Sequence, residues 1–248
     1  TPTPAQASYL AADPQQWADK AQARPQNKSR AGCVVGWLVT LALVICLIGG
    51  GFAYIQNRPG GLVIGGVTLG NAHSGPGIIY QDTLDGSTKS DWTNDSNCFF
   101  KDSAYHINAG FICYSPADAV GDSVTTVSVK QISGPITRTY GLVIRRNGKG
   151  NYYEFGIDGN GKWRFSKVVN GTLTDIVTFT SNSAIKKGLN QVNTLSVSAR
   201  GSHFVLSING TQVGIADDST FKSGKTGLLG YDGIEVVFTN LSIKNVQG

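Results

Sequence analysis

From Ala31 to Ile55 the chain runs twenty-five residues without a charged side chain, with Lys20, Arg24, Lys28 and Arg30 before the run and Arg58 after it. A helix rises about 1.5 Å per residue, so a run of this length exceeds the ~30 Å hydrocarbon core of a bilayer and can span it with some tilt. A cleaved signal peptide would show a shorter apolar stretch, about 7 to 15 residues, ending at a small-residue site. We therefore read residues 31–55 as one transmembrane helix. Four basic residues flank the span on its N-terminal side against one, Arg58, on the other, which places the N-terminus in the cytoplasm and residues 56–248 outside the cell, in a single-pass cell-membrane protein. Gly32 and Gly36 form a small-xxx-small pair through which two such helices would approach closely, the expected face for a homodimer.

Composition divides the remainder. Residues 1–30 are rich in Pro, Gln and Ala and poor in large apolar side chains, so they read as a disordered cytoplasmic tail. Residues 56–77, with Pro59-Gly60-Gly61, Gly65-Gly66 and Ser74-Gly75-Pro76, read as a Gly-rich stalk. Beyond residue 60 the chain carries sixteen Lys or Arg against fourteen Asp or Glu, with no basic stripe interleaved with aromatics. Nucleic acid is therefore not an expected partner.

Residues 78–248 show short alternating segments separated by turn signals and no helical period, which predicts an all-β ectodomain, a sandwich or barrel. The clearest expected strands are 124–131, 139–146, 152–157, 163–169, 193–199, 204–208, 213–216 and 234–243. Asn147-Gly148, Asp158-Gly159, Asn170-Gly171 and Asn209-Gly210 supply the positive φ of tight antiparallel hairpins. Alternation assigns Leu142, Ile144, Tyr153, Phe155, Ile157, Phe204, Leu206 and Ile208 to the core, and Arg145, Tyr152, Glu154, Arg164 and Lys167 to an opposite, solvated face. Cys98 and Cys113 lie in the extracellular part, where a pair of thiols usually bridges; a metal pair is the alternative, with only His106 between them.

Several segments taken in order, Tyr140–Arg146, Asn151-Tyr152-Tyr153-Glu154-Phe155, Asp158–Trp163, Asn193-Thr194-Leu195, Ile208–Val213, Gly227-Leu228 and Val236–Leu241, resemble the concanavalin A-like lectin/glucanase superfamily. More narrowly, they are similar to its laminin-G-like and 3-keto-disaccharide-hydrolase-like domains. The resemblance covers residues 78–246 and implies an antiparallel jelly-roll β-sandwich that binds glycans on a concave face or its rim loops. It is also similar to ectodomains of bacterial serine/threonine kinases, although residues 1–30 hold no kinase motif.

A retaining glucanase needs two carboxyl groups about 5 to 5.5 Å apart. Residues 56–248 contain two glutamates, Glu154 and Glu235, far apart in sequence, and no Glu-x-Asp-x-Glu-like run. The leading expectation is therefore noncatalytic recognition of carbohydrate or another cell-surface ligand, in adhesion or sensing. The alternatives are a glycoside-hydrolase-like enzyme acting on a sugar derivative, drawing on His106, His203, Glu154 and Asp232, and a structural subunit of a surface layer or filament. For a ligand platform, flat aromatic faces and fixed polar groups select Tyr152, Trp163 and Tyr231 with Arg145 and Glu154; Trp163, alternating with Phe165, also reads as core. Asp95, Asp102, Asp118 and Asp122 keep calcium open as a cofactor. Asp158-Gly159-Asn160-Gly161 lacks the closing Glu of an EF-hand loop and reads as a hairpin, and Gly224-Lys225-Thr226 lacks the first Gly of a phosphate loop.

Overall fold

The computed structural model describes residues 62–64, 67–69, 77–88, 91–108, 110–148 and 150–246. The expected cytoplasmic tail and the 31–55 span lie outside these residues, and no helix among the described residues is long and apolar enough to cross a membrane.

Two units are present. Within residues 24–72, the segment read as a stalk contains a two-stranded antiparallel hairpin, β1 (Leu62–Ile64) and β2 (Val67–Leu69). The apolar and β-branched triplets Leu62-Val63-Ile64 and Val67-Thr68-Leu69 favour the two strands. The second unit is all-β and contains β3 (Ile78–Asp82), β4 (Cys98–Lys101), β5 (Ala104–Asn108), β6 (Phe111–Tyr114), β7 (Ser123–Ser133), β8 (Tyr140–Arg146) and β9 (Tyr152–Ile157). It continues through β10 (Lys162–Val169), β11 (Thr172–Ser181), β12 (Asn193–Arg200), β13 (His203–Ile208), β14 (Thr211–Asp217), β15 (Lys225–Gly230) and β16 (Glu235–Asn245). All pairings are antiparallel. One sheet has the order β11-β10-β9-β8-β15-β6; the other has β14-β13-β12-β7-β16-β5-β4, with β3 also on β16. This is the two-sheet sandwich of the expected jelly-roll class.

The expected core residues Leu142, Ile144, Tyr153, Phe155, Ile157, Phe204, Leu206 and Ile208 all fall in one buried cluster between the sheets. Phe204 packs on Tyr153 and Phe165, with ring centroids 4.8 and 5.1 Å apart. Fully burying a side chain of this size contributes roughly 1.5–3 kcal/mol, so these contacts, repeated over the inner faces, hold the sheets together. The Cys98–Cys113 disulfide joins β4 of the eight-stranded sheet to β6 of the six-stranded sheet across this core. Closing a loop of that length is worth about 3 kcal/mol in the chain-entropy model.

Two polar side chains expected on the solvated face stand elsewhere. Arg145 was expected on the solvated face by parity with Val143, but it adopts φ 52° where the β8–β15 register shifts. That bulge turns it inward, and it is 2% exposed with its guanidinium 5.0 Å over the Phe204 ring. There it donates to Gly201 O at 2.6 Å and Phe221 O at 3.1 Å, and pairs with Asp122 at 3.2 Å. It thus ties three loops to the core end. Burial pulls its charge below the ordinary arginine value, and Asp122 opposes that pull.

Lys167 has the parity of Trp163 and Phe165, not of Arg164, because Lys167 opposes the core residue Tyr153. Its ammonium reaches Asp218 at 2.6 Å, and the Tyr153 hydroxyl donates to the same carboxylate at 2.6 Å. Burial works against the Asp218 charge, but the bonds from Lys167, Thr220 and Tyr153 prevail and hold its carboxyl well below the usual carboxylate range. A folded value below the unfolded one gives stability that is present above about pH 5 and lost as pH falls toward the folded value. The denaturation midpoint of the wild type should accordingly fall more steeply between neutral pH and strong acid than that of Asp218→Asn, which lacks this titration. Parallel pH curves for the two proteins would contradict the assignment.

Candidate functional site on the outer face of the six-stranded sheet

On the side of the six-stranded sheet turned away from the core, Val143, Tyr152, Val168 and Leu229 form a second buried cluster, flanked by Ile112, Tyr114, Leu173 and Tyr231. The face expected to be wet is therefore largely apolar at its centre. Polar chemistry is concentrated at the positions that alternation sends to the same side: Glu154 on β9, Arg164 on β10 and Asp175 on β11.

Glu154 has no solvent exposure. Its Oε1 accepts from Arg164 Nη2 at 2.9 Å and Nε at 3.3 Å, and its Oε2 accepts from the Tyr231 hydroxyl at 3.1 Å. Arg164 Nη2 also donates to the Tyr231 oxygen at 2.7 Å. Further along, Arg164 Nη1 stands 3.8 Å from Asp175 Oδ1, which accepts from Ser166 Oγ at 2.6 Å. Burial disfavours the Arg164 charge, but Glu154, Tyr231 and Asp175 outweigh it and hold the guanidinium above its ordinary value. The Tyr231 hydroxyl is pushed well above its usual value by burial and then by Glu154. Arg164 consequently stays charged and Tyr231 stays a donor over the whole physiological range.

Glycine makes room for this cluster. A side chain at Gly156, outward between Glu154 and the turn, would place its Cβ 2.4 Å from Thr139 Cγ2 and 3.2 Å from Glu154 Oε1.

Beside the cluster opens a cavity of about 380 Å³ lined by Thr137, Arg138, Thr139, Asp158, Asn160, Lys162, Arg164, Phe179 and Tyr231. Phe179 is 39% exposed, with the Arg164 guanidinium 4.9 Å from its ring centre; the same guanidinium is 5.4 Å from the Tyr231 ring. Asp158 is buried, which pushes its carboxyl up, and its Oδ1 accepts from its own hairpin, from Asn160 N at 3.0 Å and Lys162 N at 2.8 Å. The Asp158-Gly159-Asn160-Gly161 segment is the expected hairpin and forms one wall.

Of the five sequence-selected platform residues, the structure brings Glu154 and Tyr231 into direct contact and places Tyr152 on the same face. Arg145 and Trp163 are not there: Trp163 is 2% exposed in the inner core, packed edge-on against Phe155. Arg164, which alternation assigns to the solvated side, lies on this face. Asp175 and Phe179 lie on β11, which was not among the expected strands; the signal that could have found it is its β-branched content and the alternation of Leu173, Val177 and Phe179 with threonines, interrupted at Asp175. No group of three or more His, Cys, Asp or Glu side chains that could hold a metal ion occurs among the described residues. Of the four aspartates considered for calcium, Asp95 caps the turn to Cys98 and Asp122 pairs with Arg145.

No protein-family model matches the sequence, and no curated protein does. Solved structures do match in fold. A carbohydrate-binding module, CBM66 of Bacillus subtilis, aligns with TM-score 0.52 and 19% identity over 68% of this chain and 97% of its own. A putative glycosyl hydrolase of Parabacteroides distasonis aligns with TM-score 0.52 and 17% identity over 67% of this chain and all of its own. The β-glucanase of Bacillus licheniformis aligns with TM-score 0.53 and 10% identity over 69% and 100%. At these identities the likeness is one of fold, and the site stands on its own geometry. Breaking a buried ion pair by removing one partner typically costs about 3–5 kcal/mol. Glu154→Ala should therefore lose stability on that scale in urea denaturation, and Glu154→Gln, which keeps its acceptor oxygen, should lose less. Equal, small losses would mean that Glu154 and Arg164 are solvated independently.

Proposed function

We propose that the sandwich is the extracellular recognition domain of a single-pass cell-membrane protein, anchored by residues 31–55, and that it binds carbohydrate without catalysis at the outer face of the six-stranded sheet. The observation that carries this reading is the cavity in which exposed Phe179 adjoins Arg164 and Tyr231, both fixed by buried Glu154. Sugar C–H groups pack on an aromatic face, and sugar hydroxyls need donors and acceptors held in place. Asn160, Lys162 and Thr137 supply that variety. A volume of about 380 Å³ lies within the range of small-ligand sites and suits one or two sugar rings.

Support for a noncatalytic role comes from the carboxylates. Both oxygens of Glu154 are engaged and it has no exposure, so it is not free to flank a scissile bond as an acid or nucleophile must, and Asp158 Oδ1 accepts from two amides of its own turn. The fold is also one that a named carbohydrate-binding module has.

Calorimetric titration of the purified chain with a panel of oligosaccharides tests the reading. Saturable binding is expected, weakened about three- to tenfold in Phe179→Ala, the scale of one aromatic packing contact. Binding indifferent to Phe179→Ala would place the site elsewhere, and release of cleaved sugar during the titration would replace recognition with hydrolysis.

A further inference from the structure

The same outer face carries a second cationic centre that the cavity does not use. Arg146 of β8 stands opposite Lys225 of β15 in the ladder, beyond the register shift that turns Arg145 inward. The bulge restores Arg146 to the outer side, where its guanidinium lies 4.0 Å over the ring of Tyr114, a member of the outer cluster with Tyr152 and Leu229. Arg146 is half-buried and Lys225 is exposed.

The two arginines of this face are satisfied very differently. Arg164 is neutralised by Glu154 and stands near Asp175. Among the described residues no carboxylate pairs with Arg146 or Lys225, and Arg146 Nε is shielded from solvent without a hydrogen-bond acceptor. A guanidinium packed over an aromatic ring, beside an ammonium and lacking a counter-charge, is suited to a planar or tetrahedral oxyanion.

We propose that this end of the outer face is an oxyanion subsite, formed by Arg146 and Lys225 over Tyr114, and that the saccharide bound is acidic, bearing a uronate carboxylate or a sulfate ester. The inference rests on the glycan reading of the outer face and names its ligand class. The adjoining hydroxyls strengthen it. Burial pushes Tyr114 up to about 12, with the Arg146 charge opposing, and burial followed by the Glu154 charge raises Tyr152 as well. Both phenols therefore stay protonated and present donors, not competing anions, to the incoming group. Tyr152 feels Arg146 and Tyr114 as well as Glu154 and Arg164, so it lies within the fields of both centres. One saccharide chain would then set a neutral ring against Phe179 and Tyr231 and an acidic substituent against Arg146.

Calorimetry of the full chain with matched oligosaccharide pairs tests this: a uronate oligomer against its carboxyl-reduced form, and a sulfated oligomer against its desulfated form. Whichever acidic source fits should bind about tenfold or more tighter than its neutral partner, as one charge-assisted contact warrants. That preference should shrink as salt is raised from about 0.05 M to about 0.5 M, and it should vanish in Arg146→Gln while neutral binding persists. Lys225→Gln, on an exposed side chain that folding does not need, should reduce the preference in part. Equal binding of acidic and neutral members would overturn the subsite and leave the glycan reading standing. Failure of every member to bind would overturn both. A preference unchanged in both variants would put the anion elsewhere and equally overturn the proposal.

Discussion

A carboxylate with no solvent contact, as Glu154 has on the outer face of the six-stranded sheet, survives only where its charge is matched and its lone pairs are occupied. Arg164 and Tyr231 do both, and in doing so they lose their own freedom to move. The rest of the site follows from that. Arg164, held at one end by Glu154 and near Asp175 at the other, lies over the Phe179 ring, and Tyr231 lines the same cavity. A recognition surface built this way is organised before ligand arrives, which lowers the ordering cost of binding.

The second determinant is a backbone irregularity. One residue of β8 in the left-handed region exchanges the faces of its neighbours: Arg145 goes inward to the loops around Gly201 and Phe221, and Arg146 outward to Tyr114. Without the bulge, Arg145 would stand beside Val143 on the outer face and the core end would lose the side chain that ties its loops together. Bulges re-aim side chains in this manner at functional edges of sheets. Here one bulge serves the core and the outer face at once.

Much of the sandwich was legible because hairpin chemistry and period-two alternation act locally. The glycine turns at 158–161 and 209–210 join strands that the sequence suggested, the turn at 170–171 leads from β10 into the unexpected β11, and the expected core residues are the ones buried. Strands β3 to β6, β11 and β15 were not anticipated. β15 carries glycines at two of its six positions, and one of them, Gly227, lies against Tyr114 and Ile112, where a larger side chain would collide. β11 is an edge strand in which Asp175 interrupts the alternation of Leu173, Val177 and Phe179 with exposed threonines. The site was half legible: parity placed Glu154, Arg164 and Tyr152 on one face, while Trp163 belonged to the other and Arg145 was moved by a bulge that no residue type announces. Lys167 shows that parity outranks polarity, since its long stem lets an inward position at the sheet end reach Asp218.

Residue-resolved chemical shifts during titration with a uronate oligosaccharide address the central claim most directly, that the outer face of the six-stranded sheet is the recognition surface. The Arg164 side chain, Tyr231, Phe179 and Asn160 should shift together and saturably, with the inner-core Trp163 unmoved. Saturable shifts confined to the eight-stranded sheet, around His203 and Ile215 for example, with Arg164 and Tyr231 unchanged, would contradict it.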